Sequence, residues 1–178
     1  MTVITWLISN VSFLEWLLKM YRKIHYKNYI SPNKLDFIKN NTGILFIDDE
    51  TGFSTVKIFK QSKWNNTNIE KDIANLDSDL IVKNDIFFID INGVGKKLRY
   101  KDGGQGLCVD IKKRYPEKKV IIYSADEIGG RFNEALRIAD ECLPKNVEPK
   151  EFLNLANDFA IELFKKRKLY SQKCGNIL

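Results

Sequence analysis

Apolar residues along this chain fall into short unbroken runs separated by stretches at helical spacing. The runs are Ile44–Ile47, Ile86–Ile89 and Val120–Ile122. Each is bounded by turn residues, which predicts strands buried on both faces, as in a parallel sheet. Between them, Val56 and Phe59 mark a helix within 53–63, and Ile73, Leu76, Leu80 and Ile81 mark one within 73–83. Leu107, Val109 and Ile111 predict a helix over 106–115 that Pro116 ends, and Leu136 and Ile138 predict another over 132–139. Phe152, Leu155, Phe159 and Leu163 are expected to face the core from a long helix over 148–168. The polar stretch 64–71 is read as a weak strand, 141–145 as a short strand, and the basic, glycine-rich stretch 94–105 as a flexible loop. Residues 28–43 read as a linker or short helix ending at Gly43. This alternation predicts an α/β domain, a doubly wound parallel sheet with helices on both faces.

Residues 1–18 are largely apolar, with one charge at Glu15, and Lys19, Arg22, Lys23, His25 and Lys27 follow. Eighteen helical residues reach about 27 Å, slightly short of a bilayer core of about 30 Å. Three readings stand: a membrane span through residues 1–20 with the remainder cytoplasmic, a helix on a membrane or partner surface, or a helix packed on its own domain or a second copy. The expected organisation is an N-terminal apolar helix and basic linker over 1–40, one domain over 41–170 and a tail over 171–178.

Composition narrows the chemistry. The 178 residues are 44% hydrophobic, which suits a folded globular protein. The formal charge of +6 permits anionic partners without calling for nucleic acid. Cys108, Cys142 and Cys174 lie far apart with no CxxC or Cys/His spacing, which excludes a recognisable zinc or disulfide framework and fits a reducing compartment. His25 is the only histidine and stands away from the acidic strand ends, so a Ser-His-Asp or Cys-His set is not expected. Lys165-Lys166-Arg167-Lys168 closes the last helix with the charge that its dipole favours.

The strand ends carry the chemistry. The first apolar run leads into Asp48-Asp49-Glu50, the second into Asp90, the third into Ser124, and the last short strand into Lys145. Right-handed crossovers place these ends along one edge of a parallel sheet, where α/β folds collect ligands. Adjacent carboxylates repel unless a cation offsets them, and three of them can hold one Mg²⁺. A carboxylate can also attack phosphorus to give an aspartyl phosphate, with a metal and a lysine neutralising the transferring group.

These residues, in this order and within ILFIDDE, DIFFIDINGVG, KKVIIYSA and ADECLPK, resemble the receiver domain of bacterial two-component response regulators over about residues 43–168. The resemblance implies a flavodoxin-like sheet of five strands in the order 2-1-3-4-5, with the N-terminal helix as an addition. It implies Asp90 as phosphoacceptor, Asp48 and Asp49 as the acidic pair at Mg²⁺, and Asp49 and Asp90 as its more direct ligands. It further implies that the Asn92 carbonyl faces the metal, that Ser124 is the switch hydroxyl and that Lys145 pairs with the phosphoryl oxygen. The partners implied are a histidine kinase or other phosphodonor and a downstream protein, in a phosphorelay, with no catalytic turnover by the chain itself. The chain departs from the family at Asn146, where a cis proline is usual, and at Cys142, where a switch aromatic is usual. Its loop 92–105 is longer than usual and basic.

No output domain is expected in the roughly ten residues after Lys168. A second reading takes Cys142 and Asn146 to mean a receiver-shaped interaction module that no longer uses phosphate and is tethered by the N-terminal segment. A third, a Mg²⁺-dependent phosphohydrolase with Asp90 as nucleophile, lacks the second acid such chemistry needs, because Asn92 stands there.

Overall fold

The computed structural model of the protein describes residues 30–50, 52, 54–125 and 133–175. The apolar segment 1–18 and the basic stretch after it lie outside these residues, as do Phe53 and Phe132. The chain divides into two units, residues 1–35 and 36–178, and all the strands belong to the second. Among the described residues no helix is long and apolar enough to cross a membrane.

The strands are β1 (Ile44–Ile47), β2 (Thr67–Glu70), β3 (Ile86–Asp90), β4 (Lys119–Ser124) and β5 (Glu141–Pro144). They form one parallel sheet in the order β2-β1-β3-β4-β5, the order the resemblance implies. The helices are α1 (Pro32–Asn40), α2 (Ser54–Gln61), α3 (Asp79–Lys83), α4 (Gly104–Arg114), α5 (Asn133–Ile138) and α6 (Pro149–Gly175).

Every residue of β1 and β3 is buried, as expected of strands covered on both sides. Side-chain alternation divides the core by chemistry. Leu45, Ile47, Phe87, Ile89, Val120 and Ile122 pack with Ile81, Leu107, Cys108 and Ile111 in a mainly aliphatic cluster. Residues of the opposite parity make an aromatic one. Phe46 stacks on Phe88 at 4.6 Å between centroids and meets Phe59 edge-on at 5.3 Å, while Phe152 lies 5.5 Å from Phe88 and 5.6 Å from Tyr123. Buried thiol chemistry follows from the aliphatic side: burial, then the nearby Cys142, pushes the Cys108 thiol up to about 12.

The structure departs from the sequence expectations in four places. The helix expected over 73–83 shrinks to Asp79–Lys83, because nearby side chains capture the backbone donors first. The Ile73 N–H donates to the Asp72 carboxylate at 2.8 Å and the Asp77 N–H to the Asn75 side chain at 2.8 Å. The stretch 94–105 is tied down: the Gly95 and Lys97 N–H groups also donate to Asp72, at 2.7 and 2.9 Å, and Tyr100 donates to Asp110. On α6 the fully buried positions are Phe152, Ala156 and Ala160, with Leu163 nearly so, whereas Leu155 and Phe159 are only half-buried. That helix also continues to Gly175, past the basic run where the apolar pattern closes.

Lys118 clamps the end of α3 to the sheet. It is 7% exposed, whereas most of the other lysines among the described residues are exposed. Its ammonium donates to the Val82 carbonyl at 2.9 Å and to that of Asn84, over the Tyr115 ring at 5.3 Å. Lys118→Met keeps the stem and removes the charged donor, so urea unfolding is expected to show a loss of about 1.5–3 kcal/mol.

Candidate functional site

All five strands run parallel, so their carboxyl ends share one edge of the sheet. The register sets the details. Phe46 pairs with Phe88 and Asp90 with Tyr123, so Asp48, two residues past Phe46, continues the face on which Asp90 and Tyr123 stand. Asp48 extends the ladder, its N–H donating to the Glu70 carbonyl at 2.9 Å.

Three of the sequence-predicted residues gather tightly. Asp48, Asp49 and Asp90 each offer an oxygen, and these atoms lie within 4.8 Å of one another. Asp48 is wholly buried and Asp90 is 3% exposed, while Asp49 is open to solvent. The Lys145 ammonium stands among them, 2.7 Å from Asp90 Oδ2, 3.3 Å from Asp48 Oδ2 and 3.4 Å from Glu50 Oε2. It is delivered by β5, whose end is fixed when the Lys145 N–H donates to the Ser124 carbonyl at 2.6 Å. Ser124 is buried at the end of β4, beside Pro144 of β5. Asn92 is exposed, and its N–H donates to Asp90 Oδ1 at 3.1 Å.

Loop backbone shapes the mouth of the site. Gly93 has φ of +79°, a region side chains rarely adopt, and a Cβ there would lie 2.1 Å from Asp49 Oδ2. The Asp49 carboxylate therefore rests directly on a glycine of the β3–α4 connection. The Gly104 N–H donates to the Ile91 carbonyl at 3.0 Å, which sets the start of α4 against the end of β3.

Ionisation follows from this packing. Burial raises the Asp90 pKa; the Lys145 hydrogen bond, the Asn92 N–H and the Lys145 charge pull it back, and the Asp48 charge adds to the rise. For Lys145, burial alone would lower the pKa, but the Asp90 hydrogen bond and charge, then those of Asp48, carry it above the ordinary lysine value. Lys145 is thus a fixed positive charge at neutral pH.

Two participants had no role assigned to them from the sequence. The Tyr123 hydroxyl donates to Asp48 Oδ2 at 2.7 Å, both groups being buried. Burial, then the Asp48 carboxylate, holds the Tyr123 phenol well above its usual pKa, so it acts as a donor. Parity could have found it, since the residue before Ser124 faces the same side as Asp90. Glu50 is the other: its N–H donates to Asp48 Oδ1 at 2.8 Å and its carboxylate pairs with Lys145.

The donor set fits a hard divalent cation. It consists of carboxylate oxygens with no nitrogen or sulfur, and one carboxylate remains open to water, as suits an ion that keeps several waters.

No family model and no curated protein matches the chain. Solved structures do. A CheY-like response regulator receiver domain protein from Methanospirillum hungatei is 20% identical with a TM-score of 0.58, the match covering 70% of this chain and 98% of that one. The signal receiver domain of an HD domain-containing protein from Pseudomonas fluorescens is 16% identical with a TM-score of 0.58, covering 72% and 93%. The BeF3-activated DrrB receiver domain is 17% identical with a TM-score of 0.52, covering 66% and 96%. The chain has the fold of response-regulator receiver domains, which at these identities is what the likeness establishes.

Proposed function

We propose that this protein is a phosphoacceptor receiver that takes a phosphoryl group on Asp90 and signals by altered binding to a partner protein. The observation that carries the reading is the convergence of Asp48, Asp49 and Asp90 on one small volume, with the Lys145 ammonium 2.7 Å from the Asp90 carboxylate.

In this reading an Asp90 oxygen attacks the phosphorus of a phosphohistidine or a small acyl phosphate. The new O–P bond forms as the donor's P–N or P–O bond breaks, and the leaving group keeps the electron pair. Asp48, Asp49, Asp90 and the Asn92 carbonyl would hold Mg²⁺, which offsets charge on the transferring phosphoryl group. Lys145, 2.7 Å from Asp90, supplies a second, permanent positive charge. Ser124 is the hydroxyl that would sense the new group. The partners proposed are a histidine kinase or other phosphodonor upstream and a protein downstream.

Acetyl phosphate with Mg²⁺ is expected to add one phosphoryl group to the intact mass, mapped to the Asp90 peptide, and chelation with EDTA is expected to prevent it. An Asp90→Ala chain that gains the same mass would refute the assignment. A wild type that gains none leaves a receiver-shaped interaction module, which Cys142 at the usual aromatic position already favours as the second reading.

A further inference from the structure

We infer that Tyr123 is a positioning residue of the cation site, its hydroxyl holding the Asp48 carboxylate in the orientation that a divalent ion requires. The inference rests on the proposed cation-binding reading of the acidic cluster and deepens it.

Asp48 is the one member of the cluster with no exposure, so water cannot orient its carboxylate. Protein donors do so instead. Oδ1 accepts the Glu50 N–H at 2.8 Å, and Oδ2 accepts the Tyr123 hydroxyl at 2.7 Å with Lys145 at 3.3 Å. The Glu50 bond is local, two residues along the chain, and fixes only one oxygen. Lys145 has a nearer partner in Asp90 and is shared with Glu50. Of these two contacts that reach Asp48 Oδ2 from outside the loop, the Tyr123 hydroxyl is the shorter.

Tyr123 is itself rigid. It is fully buried in β4, paired with Asp90 in the adjacent strand, with its ring edge-on to Phe152 at 5.6 Å. A phenol has few rotatable bonds, so a packed ring places its oxygen accurately. Groups that orient a ligating carboxylate without touching the ion typically change metal affinity by about 10–100-fold when removed.

Tyr123→Phe removes the hydroxyl and keeps the ring on Phe152. The Mg²⁺ dissociation constant of the full chain, measured by isothermal titration calorimetry, is expected to rise by about tenfold or more. In acetyl phosphate labelling, the Mg²⁺ concentration for half-maximal rate should rise likewise, while the rate at saturating Mg²⁺ stays near that of the wild type. A purely structural contribution from Tyr123 would shift the urea midpoint and leave that split unseen. Asp48→Ala, which leaves no side-chain acceptor for the phenol, supplies the second arm, because adding Tyr123→Phe to it should weaken Mg²⁺ binding no further. An unchanged dissociation constant in folded Tyr123→Phe, or equal weakening with and without Asp48→Ala, overturns the inference while leaving the cation site standing. A wild type that binds no Mg²⁺ overturns the cation site itself, and this inference with it.

Discussion

Lys145→Met is expected to lose about 3–5 kcal/mol of unfolding free energy in chelator-treated buffer, because it strands two buried carboxylates without their cation. Asp48 is wholly buried and the Asp90 side chain is 5% exposed, so water cannot replace the ammonium that stands 3.3 and 2.7 Å from them. Methionine retains the length and apolar stem of lysine, which confines the change to charge and hydrogen bonding. Mg²⁺ should return part of the loss, since an ion that binds only the folded state stabilises by about 2.7 kcal/mol at a hundred times its dissociation constant. Urea titrations with EDTA and with Mg²⁺ provide the check. A variant as stable as the wild type in EDTA would mean that the carboxylates tolerate each other without Lys145.

The pH dependence of this variant has a definite sign. In the wild type the folded-state pKa of Lys145 lies above its ordinary value, so its stabilisation is fully present below that ordinary value and fades only as pH climbs through the higher one. Asp90 also has a raised folded-state pKa, burial being the main cause, which means that its ionised form works against folding. Removing Lys145 removes the contributions that pulled that pKa down. The deficit of Lys145→Met relative to wild type should therefore shrink as pH falls through the carboxylate range and Asp90 takes up its proton.

What could be foreseen from the residues divides along a physical line. The strands were legible because burial on both faces demands uninterrupted apolar side chains, and Ile44–Ile47 and Ile86–Ile89 have no other comfortable environment. β2 was faint because it is an edge strand that carries only one large apolar residue, Ile69, between an exposed asparagine and a half-buried glutamate. The residues of the site were legible because charged and hydroxyl groups at strand ends are chemically distinctive and the parallel sheet aligns those ends. The side chains that support them were harder to see. Tyr123 sits inside an apolar run and resembles any other core aromatic until register sets it beside Asp90. Ala156 and Ala160 carry no apolar signal of their own, yet α6 packs on them because small residues at four-residue spacing from Phe152 let the helix approach the sheet.

Order in the stretch 94–105 was invisible for another reason. Its acceptor, Asp72, lies 23 residues before Gly95, so no local pattern reports the bond. The same carboxylate disrupts the helix expected at Ile73 and anchors the loop, two departures with one cause.

Gly104→Ala is expected to destabilise the protein by about 3 kcal/mol or more, the upper end of what overpacking produces. A methyl group at this position would lie 1.9 Å from the Asp90 carbonyl oxygen and 2.9 Å from its carbon. That obstacle is backbone held between β1 and β4 in the middle of the sheet, so it cannot swing aside as a side-chain tip could. Either α4 lifts from the sheet or β3 shifts at Asp90, the proposed phosphoacceptor. Labelling by acetyl phosphate should fall in both cases. Mg²⁺ should not restore it, because the defect is one of position and not of uncompensated charge; in this the variant differs from Lys145→Met. Gly52→Ala is the matched control, since no atom of the described residues lies within 4 Å of a methyl group there, and its stability should stay within about 0.5 kcal/mol of wild type. Wild-type stability and labelling in Gly104→Ala would show that α4 and the end of β3 are not in the close contact on which the geometry of Asp90 depends.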